Sequence, residues 1–131
     1  MPSEIFELQI IVPPSAIDEM NHVNNVVYLK WIQDVAKKHW ESKIDTTIKE
    51  SFVWVALNHY LEYSSPAFEN DDLILRTWID NHHGAKSERH TTIINSNSQK
   101  ILVTAITTWC FISKKTLRPI RITDEVNKLF L

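Results

Sequence analysis

Asp18 and His22 stand four residues apart, just ahead of a long run with the periodicity of an amphipathic helix. A carboxylate in that place can act as a general base or as a nucleophile. The start of a helix presents backbone N–H groups that lack intrahelical partners, at the positive end of the helix dipole, and so offers a place for a developing oxyanion. Acid, imidazole and helix start together point to acyl-group chemistry. Each also has a quieter role: Asp18 can close an Asx-type turn before the helix, and His22 can satisfy backbone groups at its start.

The helix that must position them is read from about Asn24 to Trp40. Tyr28, Trp31, Ile32, Val35, Ala36 and Trp40 supply its apolar face, while Lys30, Gln33, Asp34, Lys37 and Lys38 take other angular positions. A strand precedes it, with Phe6, Leu8, Ile10 and Val12 alternating with Glu7, Gln9 and Ile11 up to Pro13-Pro14. A short helical turn is predicted after Asp45, with Thr47 and Glu50 spaced as a capping box. Phe52 to Ser64, Leu73 to Asn81, Lys86 to Asn95 and Ile101 to Ser113 are rich in β-branched and aromatic residues and read as strands. His82-His83-Gly84-Ala85 and Asn95-Ser96-Asn97-Ser98 read as hairpin connections, so these neighbours run antiparallel. Thr123 has the character of an N-cap, with Asp124 and Glu125 in the first turn of a C-terminal helix. One long helix serves a five-stranded antiparallel sheet most economically when the sheet wraps around it. The expected class is therefore α+β, with the hotdog fold and a short C-terminal helix. Free strand edges predict a homodimer, and further assembly to a tetramer is expected, in an arrangement left open because opposite sheet faces can pair in more than one way.

Composition narrows the function classes. The 131 residues fit a single domain over 1–131, and 44% hydrophobic content with five tryptophans is enough for a real core. A net charge of −2 argues against a general polyanion-binding surface, so no nucleic-acid partner is expected. The opening Met1-Pro2-Ser3-Glu4-Ile5-Phe6 has neither a basic region nor an apolar run of leader length, and no stretch is long and apolar enough to span a bilayer. A soluble cytoplasmic protein without membrane partners is expected. Gly84 is the only glycine, which rules out a P-loop and the GxGxxG fingerprint, and no cofactor is predicted. The only cysteine, Cys110, follows Trp109 in an apolar strand-like run and reads as core. His39, His59, His82, His83 and His90 lack ligand spacing with Cys or carboxylates, so no metal is predicted.

Asp18 lies ten residues before Tyr28, and the intervening run contains His22-Val23-Asn24-Asn25. This pattern resembles hotdog-fold acyl-CoA thioesterases of the 4-hydroxybenzoyl-CoA thioesterase type. The His-Val-Asn-Asn run is also similar to the plant acyl-carrier-protein thioesterases, whose motif reads Asp-x-Asn-x-His-Val-Asn-Asn. Tyr63 to Leu73 resembles the family's approach to its third strand, and Trp109 with Thr116 to Ile122 resembles its final strand and exit. The resemblance covers nearly the whole chain. Two positions depart from it. The plant motif's catalytic asparagine falls on Met20, so its role is not carried over, and the glycine common before the histidine is Asn21, which also tolerates positive φ.

The resemblance implies hydrolysis of an acyl-CoA or acyl-carrier-protein thioester, with Asp18 as base or nucleophile, the Asn25 backbone N–H as oxyanion donor and His22 as a helper. The chemistry is consistent with this, because a leaving thiol with a pKa of about 8.5 needs no strong general acid. Lys114, Lys115, Arg118 and Arg121 form a cationic segment without acids, suited to phosphate, and Lys86-Ser87 with Arg118 match the basic segments that contact CoA phosphates in the resembling family. Asp34, further along the helix, and Glu62 are rival acids. Two other readings stand beside hydrolysis: a hotdog hydratase or dehydratase, whose motif usually needs a wider Asp-to-His spacing, and a non-catalytic acyl-CoA binding module. Trp31, Phe52, Trp54 and Trp78 serve either as core or as pocket wall, and the acyl chain is left open.

Overall fold

The structure is a computed structural model that describes residues 4–131. Met1-Pro2-Ser3, the first residues of the segment read as lacking a leader, lie outside the described residues. The elements in order are β1 (Phe6–Ile11), α1 (Asn25–Lys43), α2 (Thr46–Ser51), β2 (Phe52–Tyr63), β3 (Asp72–His83), β4 (Lys86–Asn95), β5 (Ile101–Ser113) and α3 (Asp124–Phe130). All neighbouring strands are antiparallel, in the spatial order β1-β3-β4-β5-β2. This is the hotdog architecture, with α1 against the concave face of the sheet.

Helix α1 starts where Asn24, in extended conformation, turns its side-chain oxygen to the Val26 N–H at 2.9 Å. Tyr28, Ile32, Val35, Ala36 and His39 are its buried stripe, at the spacing a helix needs to face one layer. The helix runs nearly a turn beyond Trp40, to Lys43, whose ammonium meets the Glu4 carboxylate at 2.6 Å. A cation in that last turn also suits the negative end of the dipole. The cap of α2 is Asp45, which accepts from the Ile48 N–H at 2.9 Å, so the capping box read at Thr47 and Glu50 sits two residues too late. Thr123 caps α3 as expected, accepting from Val126 N–H.

Consecutive strands β2 and β3 are not neighbours. Residues 64–71 instead cross the start of α1, where the Val23 N–H donates to the Ala67 carbonyl at 2.9 Å and the Ala67 N–H donates to the Tyr28 hydroxyl at 3.1 Å. Ala67 and Tyr28 are both buried, so this crossing pins the loop ahead of the helix. Burial raises the Tyr28 pKa above its ordinary value and keeps the hydroxyl protonated. At the other end of the sheet, Gly84 takes φ +61° in the tight turn from β3 to β4, a conformation that costs glycine little.

The core forms two clusters. One, toward the N-terminus of α1, contains Val12, Tyr28, Ile32, Leu73, Leu75 and Ile93; the other, toward its C-terminus, contains Ile48, Ile79, Phe111, Val126 and Phe130. Between them the concave face carries the buried polar residues Thr77, Arg89, Thr91 and Thr107, with His39 facing them from the helix. No helix among the described residues is long and apolar enough to cross a membrane.

Candidate active site

The chain folds back on itself just before α1. The Asp18 N–H donates to the His22 carbonyl, the Asn21 N–H donates to the Asp18 carbonyl, both at 3.0 Å, and a bridge between Ile17 and Val23 closes the loop. Asn21 sits at φ +64°, the left-handed conformation that asparagine tolerates better than most side chains. One Asp18 carboxylate oxygen accepts from the Met20 N–H at 2.9 Å, an Asx-type turn, and the other has no hydrogen-bond partner among the described residues. His22 Nδ1 stands 3.9 Å from Asp18 Oδ1, beyond hydrogen-bond length, and is buried without a hydrogen-bond partner among the described residues. Apo sites are often this loose and tighten on substrate.

Asn25 is the first helical residue. The Asn24 cap takes the Val26 N–H with its side chain and the Val27 N–H with its carbonyl, which leaves the Asn25 N–H without a partner among the described residues. Asp18 and His22 thus share the closed loop that leads into α1, and this amide is at the first residue of the helix.

The basic residues lie at the opposite end of the sheet. Lys86 opens β4 beside the Gly84 turn, Lys114 and Lys115 follow the end of β5, and the segment with Arg118 and Arg121 folds back so that Ile120 N–H meets Phe111 O and Ile122 N–H meets Gly84 O. The Asp18 loop sits beyond the other end of β4, where Leu73 pairs with Asn95 and Val12 N–H meets Asp71 O. The ten residues of β4, at about 3.3 Å each, put the two groups roughly 30 Å apart within one chain. Ser87 does not share the surface of Lys86. The pleat turns it to the concave face, where it is buried.

Among the rival acids, Asp34 is partly exposed on α1, 3.9 Å from Lys30, and Glu62 is exposed on β2. Asp80, Glu88 and His90 bring ligand atoms within 4.8 Å of one another at the surface of β3 and β4, a cluster hidden from sequence spacing because it forms across two strands.

A cavity of about 580 Å³ opens between the C-terminal half of α1 and the edge of the sheet at β2. Trp40, Phe52, Trp54 and Trp109 contribute to its walls, and the buried Ser87 and Arg89 line it from β4. Arg89 Nη1 donates to His39 Nδ1 at 2.9 Å and to Thr77 Oγ1 at 3.1 Å. Burial, and then the Arg89 charge, push the His39 pKa down to about 4, so the imidazole is neutral and can accept. Burial pushes the Arg89 pKa down to about 10, which leaves it cationic at neutral pH. Sequence reasoning missed this pair. The available signal was the phase of β4: once Ile93 is set inward, Arg89 must be inward too.

Residues 12–130, nearly the whole chain, match the family model described as the thioesterase-like superfamily. This chain belongs to that superfamily. By class the protein is a thioester hydrolase. No curated protein matches this chain by sequence. Solved structures agree on the fold. The probable thioesterase YbaW from Escherichia coli is similar at 21% identity and TM-score 0.84, with 93% of each chain covered. The 1,4-dihydroxy-2-naphthoyl-CoA thioesterase Slr0204 from Synechocystis is similar at 14% identity and TM-score 0.84, covering 96% of this chain and 95% of that one. The protein SAV2348 from Staphylococcus aureus, solved in complex with CoA, is similar at 16% identity and TM-score 0.86, over 98% and 83%.

Proposed function

We propose that this thioesterase-superfamily chain, a single domain, hydrolyses an acyl-CoA thioester, or the same thioester on an acyl carrier protein. The observation that carries the reading is the unpartnered Asn25 N–H at the start of α1, which follows a closed loop that holds the Asp18 carboxylate with one free oxygen. The thioester carbonyl oxygen accepts from the Asn25 N–H as it gains negative charge. Asp18 either removes a proton from the attacking water or itself attacks the carbonyl carbon to form a mixed anhydride that water then opens. In both routes the C–S bond breaks and the thiolate leaves. His22, with its Nδ1 near Asp18, orients the carboxylate or the water. Under single turnover in heavy-oxygen water, label entering the Asp18 carboxylate establishes the anhydride route, because general-base catalysis by Asp18 forms no bond to its carboxyl carbon.

The basic segment is the proposed handle for the CoA phosphates, through Lys86, Lys114, Lys115, Arg118 and Arg121. Its separation from Asp18 within one chain supports a homodimeric site. Strand β2 is a twelve-residue edge exposing Val53, Val55, Leu57 and Tyr60, the kind of edge that another chain covers. Tyr63, at one end of β2, contacts Tyr28 near the start of α1, whereas Ser51, beside the other end, holds the Lys114 N–H. Antiparallel pairing of two β2 edges therefore sets the Asp18 end of one copy beside the basic end of the other. Further assembly of such dimers to a tetramer accords with this reading.

A thiol-release assay over short, long and aromatic acyl-CoA substrates tests the hydrolase. Wild type is expected to release thiol from part of the panel and Asp18→Asn from none of it at a comparable rate. Wild-type rates retained by Asp18→Asn on every accepted thioester would reject the role of Asp18. Saturable binding with no thiol release would favour the binding module.

A further inference from the structure

We propose that the cavity beneath the C-terminal half of α1 binds a carboxylate carried on an apolar body, with Arg89 as the anion anchor. Arg89 is a 94% buried cation, its relative exposure being 6%, and it forms no ion pair with any described carboxylate. Its two hydrogen bonds, to neutral His39 and to Thr77, both leave from Nη1. The N–H groups on Nε and Nη2 keep no partner among the described residues. Those two nitrogens form the side of a guanidinium that meets a carboxylate through two parallel hydrogen bonds.

The surroundings fit the same ligand. Trp109 Nε1, on the lining of the same cavity, is buried without a partner among the described residues, and the buried Ser87 lines it from the same face of β4 as Arg89. A buried donor without an acceptor is costly, and the indole N–H is such a donor on the lining that the Arg89 cation shares. Trp40, Phe52, Trp54 and Phe130 make the rest of the wall apolar, suited to a hydrocarbon or aromatic body. The charged groups at the mouth are Asp34, Lys37, Glu41, Lys49 and Lys114, of which Glu41 is already held by Lys49 at 3.1 Å. The lining therefore carries more cations than acids, and the only buried charge is positive.

This inference rests on the thioester-hydrolase reading for the source of the carboxylate, either the far end of an acyl group or the acid released by hydrolysis. Binding itself is read by tryptophan fluorescence, since Trp40, Trp54 and Trp109 line the cavity. Wild type is titrated with 4-phenylbutyrate and with its neutral amide, 4-phenylbutyramide. The acid is expected to bind about tenfold to hundredfold more tightly, the range of hydrogen bonds between charged partners. Arg89→Met is expected to erase that preference. Because Arg89 also supports His39, Ala56→Phe is the second variant: it fills the cavity with the Arg89 bonds intact and is expected to weaken both ligands. Equal binding of acid and amide by wild type, or unchanged binding by Ala56→Phe, would overturn the inference.

Hydrolysis of adipoyl-CoA against hexanoyl-CoA then locates the source. Preference for adipoyl-CoA, lost in Arg89→Met, places the carboxylate on the substrate; binding of 4-phenylbutyrate without that preference places it on the released acid. Absence of thiol release with carboxylate binding intact would sink the hydrolase reading alone. Thiol release intact with acid and amide bound equally would sink the cavity inference alone.

Discussion

At its N-terminus α1 meets residues 18–24, a loop closed by hydrogen bonds between residues only a few positions apart. Along its C-terminal half it faces Thr77 and Arg89, which come from two strands far along the chain and join His39 in one buried layer. The first region keeps its acid partly in water and one amide free; the second holds a cation and a neutral imidazole in the interior. A hydrolytic centre needs water and mobile protons, so the exposed loop suits the reaction. Discrimination between ligands needs desolvated, pre-oriented donors, which the buried layer supplies. On the proposed function, turnover belongs to one end of the helix and recognition to the other.

The sharpest way to break that assignment is to remove the acid without disturbing the loop. Asp18→Asn keeps an oxygen for the Met20 N–H, so stability is expected to hold while kcat falls about a thousandfold, within the range of a lost general base. A kcat within a few-fold of wild type, with urea unfolding unchanged, would move the chemistry away from the loop.

The buried layer is expected to answer to pH instead. Folded His39 has its pKa pushed down to about 4, from an ordinary 6.5, so between those values the unfolded chain binds a proton that the folded chain refuses. Stability is therefore full above the unfolded value and is lost as pH falls through the window, by about 3 kcal/mol in all. Urea unfolding followed from neutral pH downward measures it, and His39→Gln is expected to flatten the slope. A wild-type slope no steeper than that of the variant would mean that His39 does not titrate this way.

A smaller effect is expected from the basic end. Arg118→Ala with Arg121→Ala should raise KM for acyl-CoA about tenfold and leave kcat nearly unchanged, because phosphate contacts bind ground and transition states alike. The same pair should matter less as salt rises. A fall in kcat with KM unchanged would bring these residues into the chemistry. The smallest change is at the crossing loop. Tyr28→Phe removes the acceptor of the Ala67 N–H and is expected to cost about 1 kcal/mol in urea unfolding, with a comparable few-fold loss of activity as the Asp18 loop loosens. Activity lost without any loss of stability would give the hydroxyl a more direct part.

The legibility of the two regions in the sequence follows from the same contrast. The loop before α1, its Asn21 turn and the helix it serves are set by neighbours in the chain, so residue type and spacing reveal them. Alternation likewise revealed β1, and β-branched and aromatic composition revealed the other four strands. The cap of α2 was misplaced because Asp45 and Thr47 both carry oxygens suited to capping and only the backbone decides between them. Arg89 stayed hidden because a charged residue in an alternating strand is ordinarily read as facing water. The separation of Asp18 from the basic segment was equally hidden, since sequence order carries no distance between loops at opposite ends of a sheet.

The central claim, that Asp18 of one copy works with the basic end of another, is tested most directly by mixing two impaired variants. Asp18→Asn homodimers and homodimers carrying Lys114→Ala, Arg118→Ala and Arg121→Ala are unfolded together, refolded and assayed at low acyl-CoA concentration. Half of the dimers should be mixed, and each mixed dimer should hold one intact site of two, so activity is expected to recover to roughly a quarter of wild type. Activity no higher than the average of the two variants assayed separately would contradict the claim and place the whole site within a single chain.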